Sequence, residues 1–101
     1  MKFLTSLAAA SLALVGTAPA FAQATGYYTA TPKSEVARDK FITRSTLWKC
    51  AGGVCAASKS AERDAVLCEV VARKVGGLSA FTVGGTAYTQ ESLAKCNARV
   101  K

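Results

Sequence analysis

The sequence predicts a small α+β domain built as hairpin, helix, hairpin, helix (ββαββα) with antiparallel strands. Three observations predict it. Two Gly-Gly pairs, Gly52-Gly53 and Gly84-Gly85, each sit inside a run of β-branched and aromatic residues. Apolar residues recur at helical spacing after each run. Four cysteines, Cys50, Cys55, Cys68 and Cys96, are placed so that oxidation ties these elements together.

The chain opens with an export signature. Lys2 gives a short basic start, Leu4 to Val15 is apolar, and Ala20-Phe21-Ala22 has the small-x-small pattern that a signal peptidase cuts. Residues 1–22 are therefore expected to be a bacterial Sec-type signal peptide cleaved after Ala22, with Ala20 as a second site. The run is too short for a span, which needs roughly 20 apolar residues, so no membrane span is expected once the leader is removed. The expected address is periplasmic or secreted.

Removing these 22 of 101 residues leaves 79, enough for one domain. Only Lys2 of the 13 basic residues is lost, so 12 basic against six acidic residues leave +6. A core of this size supplies only about 3–5 kcal/mol, and small exported domains compensate with disulfides.

Residues 23–40 carry Gly26, Pro32 and mixed small and charged residues without periodicity. They read as an extended or partly disordered lead-in, with Tyr27 and Tyr28 either pinning a short strand or exposed. The folded domain is expected over 41–101.

From Phe41 to Ser58 the Gly52-Gly53 pair signals a two-residue hairpin loop. With that loop, Ala51 faces Val54 as the hydrogen-bonded closing pair and Cys50 faces Cys55 as the closer, non-hydrogen-bonded pair. A Cα separation of about 4.5 Å there suits a cross-strand disulfide. Trp48 falls on the same face and is expected to cover the bridge.

Ser60 is the expected N-cap of the first helix, with Glu62 and Asp64 in its first turn and an end before Gly76-Gly77. Ala61, Ala65, Cys68, Ala72 and Val75 form one stripe of mostly small residues, which lets another backbone approach Cys68. Val66 and Val70 lie on a second side, Leu67 and Val71 on a third. The second hairpin spans Leu78 to Thr89 around Gly84-Gly85, with Val83 facing Thr86 and Phe81 facing Tyr88. Thr89 then caps a last helix carrying Glu91 in its first turn and Leu93, Cys96 and Val100 on one face.

Four cysteines allow three pairings. The hairpin register favours Cys50–Cys55, leaving Cys68–Cys96 to join the two helices. Chain-entropy arithmetic gives about 2 kcal/mol for the short loop and about 3.5 kcal/mol for the long one.

Catalytic and metal chemistry lack their usual residues. Histidine is absent, which removes the commonest general base and every Ser-His or Cys-His pair. No C-x-x-C occurs, so neither a zinc knuckle nor a thioredoxin-like dithiol is signalled. Ser92-Leu93-Ala94-Lys95 matches S-x-x-K, yet the companion motifs of serine acyltransferases are missing. No cofactor and no metal are expected.

The basic residues are spread from Lys33 to Lys101 with no run longer than two, so no specific nucleic-acid site is signalled. Three functional expectations follow: a non-enzymatic binding or structural module meeting an unknown envelope component, a hydrolase of an envelope polymer using two of Glu35, Asp39, Glu62, Asp64, Glu69 and Glu91, or a low-specificity binder of anionic glycan or lipid. The first is the leading expectation.

The Thr46, Trp48, Cys50 strand, the Ala65 to Cys68 helix segment, the Phe81-Thr82-Val83-Gly84-Gly85-Thr86-Ala87 hairpin and the closing Lys95-Cys96-Asn97-Ala98 carry a likeness. From Arg38 to the end the chain resembles a family of small exported alphaproteobacterial proteins of uncharacterised function. The resemblance implies a periplasmic address and a shared cysteine framework, and it transfers no active site.

Overall fold

The structure, a computed structural model of the chain, describes residues 22–100. The expected signal peptide, Ala20 included, lies outside the described residues except for Ala22. Among the described residues eight elements follow in order: β1 (Tyr28–Pro32), β2 (Lys40–Thr43), β3 (Thr46–Ala51), β4 (Val54–Ala57), α1 (Asp64–Val75), β5 (Leu78–Val83), β6 (Thr86–Ala87) and α2 (Gln90–Asn97). The strands form one antiparallel sheet in the order β2-β3-β4-β1-β5-β6, and both helices pack on one face of it. The α+β class is thus observed, with four strands before α1 where the sequence predicts two.

One added strand comes from the expected lead-in. Residues 28–32 form the central strand, paired with β4 on one side and β5 on the other, so the fold begins at Tyr28 and not at Phe41. The alternation of Tyr28 and Ala30 with Thr29 and Thr31 explains it. Tyr28 and Ala30 are buried on the helix side, and the threonines supply β propensity to the opposite side. Pro32 is tolerated because β4 pairs only with residues 28–30, and the register to β5 shifts at Thr31/Pro32. Since β1 is antiparallel to both neighbours, β4 and β5 run parallel with α1 as the crossover between them.

The other addition is a second tight turn. Arg44 and Ser45 join β2 to β3, pairing Thr43 with Thr46, Phe41 with Trp48 and Lys40 with Lys49. Arg44 adopts φ 54°, the left-handed region that favours glycine, and this is why residue types did not signal the turn. The Gly52-Gly53 and Gly84-Gly85 turns have positive φ throughout, and the pairs Cys50 with Cys55, Ala51 with Val54 and Val83 with Thr86 are in register.

An aromatic row crosses the helix-covered face. Phe41 stacks on Trp48 at 6.3 Å between ring centroids, Trp48 meets Tyr28 at 6.3 Å, Tyr28 stacks on Phe81 at 6.4 Å, and Phe81 meets Tyr88 edge-on at 5.0 Å. Trp48 is fully buried, and its indole N–H donates to Thr43 Oγ1 at 2.8 Å, so burial leaves this donor satisfied.

Helix α1 starts later than its residue types suggest. Arg63 occupies the N-cap position without a side-chain cap, while Ser60 Oγ accepts from the Glu62 N–H at 2.9 Å. The reason is tertiary: the buried Tyr28 hydroxyl accepts from the Ser60 N–H at 3.2 Å and donates to its carbonyl at 3.3 Å, which commits the Ser60 backbone elsewhere. Glu62 accordingly lies outside the first turn. The buried face is Leu67, Cys68, Val71 and Ala72, rotated from the expected alanine stripe; Ala61 and Ala65 are exposed. Burying Leu67 and Val71 removes more apolar area from water than burying two alanines, so the larger pair decides the orientation. At the other end Gly76 is left-handed, and the N–H groups of Gly76 and Gly77 both reach the Ala72 carbonyl at 2.8 Å. Thr89 caps α2 by accepting from the Ser92 N–H at 3.1 Å.

Candidate functional site

The two faces of the sheet differ in kind. One is roofed by α1 and α2, which are joined by Cys68–Cys96 with Cα atoms 5.7 Å apart. The β3–β4 hairpin is clamped by Cys50–Cys55 at a Cα separation of 3.9 Å, tighter than the expected 4.5 Å. Among the described residues no cysteine is free. All four cysteines belong to the core or pack against it, which makes their role architectural.

Among the described residues no helix covers the other face. Period-two alternation sends Lys40 and Ile42 of β2, and Leu47, Lys49 and Ala51 of β3, to this side. The Cys50 N–H donates to the Asp39 carbonyl at 2.7 Å, so residues 39 and 50 form a hydrogen-bonded pair. Alternation then makes Lys40/Lys49 and Ile42/Leu47 the closer, non-hydrogen-bonded pairs. Two lysines thus stand directly opposite one another, an arrangement that destabilises a sheet. On the next rung are the two most exposed large aliphatic side chains among the described residues, Ile42 at 61% and Leu47 at 47%. Among the described residues none of the six strands contains an acidic residue.

Beside this patch runs an open groove of about 720 Å³. Leu47, Lys49, Ala51 and Ala56 line it from the sheet, residues 24–26 from one segment and residues 58–62 from another. The N-terminal segment is held there by the Ala24 N–H, which donates to the Ala51 carbonyl at 3.1 Å, and by Gly26. A side chain at Gly26 would come within 2.8 Å of the Ala57 carbonyl oxygen. Lys59 Nζ sits 4.8 Å from the centroid of the Tyr27 ring, which in turn meets Tyr28 edge-on at 4.9 Å. Arg44 donates to Glu62 at 2.9 Å, the one ion pair among the described residues, and ties the β2–β3 turn to the segment before α1.

The acids are dispersed. Glu62 is engaged by Arg44, Asp64 and Glu91 occupy first turns of helices, and Glu69 lies within α1. Glu35 and Asp39 do line one depression of about 460 Å³, shared with Cys50 and Cys55, and both are exposed. Ser92 and Lys95 border a small depression of about 120 Å³ with Tyr88 and Glu69, where the Ser92 N–H is taken by the cap. Burial, and after it the charge of Asp64, raises the Tyr88 phenol above its ordinary value of 10.0. Among the described residues no group of three His, Cys, Asp or Glu is placed to hold a metal ion, and no helix is long and apolar enough to cross a membrane.

The lysine and aliphatic pairs are what reading by residue type missed. Lys40 and Ile42, and likewise Leu47 and Lys49, stand two positions apart as residues on one face of a strand do, although each stretch reads polar-apolar-apolar-polar and shows no alternation of hydropathy. Without a turn signal at Arg44-Ser45, however, nothing in the sequence set one stretch opposite the other.

Two disulfides point to an oxidising, extracytoplasmic environment. No curated protein and no solved structure matches the chain. The model of a family of unknown function, DUF8200, matches residues 9–98. With nearly the whole chain covered, the protein belongs to the DUF8200 family.

Proposed function

We propose that the protein is a non-enzymatic binding module of the bacterial cell envelope, carried to the periplasm by its leader and working through the uncovered face of its sheet. The observation that carries this reading is the Lys40/Lys49 and Ile42/Leu47 double rung. Like charges opposed at close range oppose stability and exposed aliphatic side chains add nothing to it, and residues that break local rules together on one patch mark a surface kept for contact. The absence of histidine and the dispersion of the acids support the non-enzymatic part. The hydrolase reading has one observation in its favour, Glu35 and Asp39 in a shared depression. Both are solvated on a loop, whereas a general acid works from a desolvated site.

Fractionation of cells that make the protein tests the proposal. The expected result is a chain beginning at Gln23, oxidised at all four cysteines, that sediments with envelope fragments and is released by Lys40→Glu/Lys49→Glu. A full-length precursor in the cytosol with free thiols, or sedimentation indifferent to that double substitution, contradicts it. Hydrolysis of envelope polymer that disappears in Glu35→Gln or Asp39→Asn would establish the enzymatic reading instead.

A further inference from the structure

We infer that the uncovered face around Lys40, Ile42, Leu47 and Lys49 docks on the anionic surface of a lipid bilayer. The inference rests on the envelope-binding reading and names the partner of the same face. Charge complementarity is the first argument. Lys40 and Lys49 are adjacent on a face whose strands carry no acid, and neither has an ion-pair partner among the described residues. Their close spacing raises the local positive potential, which a layer of lipid phosphates relieves by supplying several negative charges at once.

The second argument is the chemistry of the neighbouring rung. Ile42 and Leu47 are aliphatic and protrude from the sheet, so they can enter the boundary between headgroups and acyl chains while the lysines, with long apolar stems, keep their ammonium groups at phosphate level. A protein partner is favoured by aromatic and arginine anchors in pockets, and among the strand residues of this face there are none. A second copy of the chain is disfavoured because a two-fold contact through this patch would gather four lysines with no strand carboxylate to meet them.

Arg73 and Lys74 close α1 in the helical layer and are exposed, so they provide a matched control of equal charge. The test measures partitioning of the purified, oxidised protein onto vesicles of phosphatidylcholine alone and of equal parts phosphatidylcholine and phosphatidylglycerol. All variants carry the same N-terminus, verified by mass, so differences among them report on the face alone. Binding is expected only with phosphatidylglycerol and is expected to collapse as salt is raised. Lys40→Gln/Lys49→Gln should weaken it roughly thirtyfold at low salt, about fivefold for each cation removed. Ile42→Ser/Leu47→Ser should weaken it with the net charge unchanged, and Arg73→Gln/Lys74→Gln should leave it within about twofold of wild type.

Equal loss in the Arg73/Lys74 variant would reduce the effect to net charge and overturn the inference, as would equal binding to the uncharged vesicles. If no vesicle binds but Lys40 and Lys49 still govern sedimentation with envelope fragments, lipid docking is wrong and the binding-module reading stands. If both are lost, both fail.

Discussion

Arg44 shows how one residue is held against its own preference. Its φ of 54° costs a residue with a Cβ about 1–2 kcal/mol, and the bond to Glu62 is a half-exposed ion pair worth about 0–1 kcal/mol. Strain therefore outweighs the pair, and Arg44→Gly is expected to leave stability unchanged or raise it by up to about 1 kcal/mol in urea titration. A loss of more than about 1 kcal/mol would mean that the tie from the turn to residue 62 matters more. Asn97 is the opposite case. Its side-chain amide donates to the Leu78 carbonyl and accepts from the Leu78 N–H, both at 2.9 Å, and so closes the start of β5 onto α2. Leu78 is fully buried, so Asn97→Ala leaves both of its backbone groups without these partners, and a loss of about 1–3 kcal/mol is expected. A change within experimental error would show that water replaces the amide.

At the scale of elements, the parts readable from residue types were those with local punctuation. Gly52-Gly53, Gly84-Gly85, Gly76 and Thr89 set two turns, one helix end and one helix start, and the pairing of Cys50 with Cys55 follows from the first turn. Where the structure departs from the sequence reading, non-local contacts decide. Strand β1 becomes central because two partners accept it, the β2–β3 turn uses an arginine, and the start of α1 yields to the Tyr28 hydroxyl. The cross-links divide in the same way. The bridge from Cys68 to Cys96 spans 28 positions and joins separate helices, while that from Cys50 to Cys55 spans five within a hairpin already closed by its turn. Cys68→Ser or Cys96→Ser should therefore cost about 1–1.5 kcal/mol more than Cys50→Ser or Cys55→Ser in chemical denaturation. Equal or reversed losses would contradict the chain-entropy account.

The junction of β6 with the helices also has a pH signature. Because burial and Asp64 favour the neutral Tyr88 phenol, its folded pKa lies above its unfolded one. The resulting stabilisation is present below pH 10 and is lost as pH rises through the raised value. Ultraviolet titration should find a phenol ionising above its ordinary value that is absent from Tyr88→Phe and shifted downward in Asp64→Asn. A titration unaffected by Asp64→Asn would remove the carboxylate from the explanation and leave burial alone.

Over the whole molecule, the sheet separates two unlike sides. The helical side holds the aromatic row and Cys68–Cys96, and it supplies the stability that a chain of this length draws from few contacts. The opposite side carries paired lysines and exposed aliphatic residues that contribute nothing to that core. The most direct measurement of the claim that this side is the working surface is lysine acetylation of the oxidised protein, with and without envelope fragments, read residue by residue by mass spectrometry. Slower modification of Lys40 and Lys49 in the presence of fragments, with Lys74 and Lys95 on the helices unchanged, is the predicted result. Undiminished reactivity at Lys40 and Lys49, or equal slowing at all four, would contradict it.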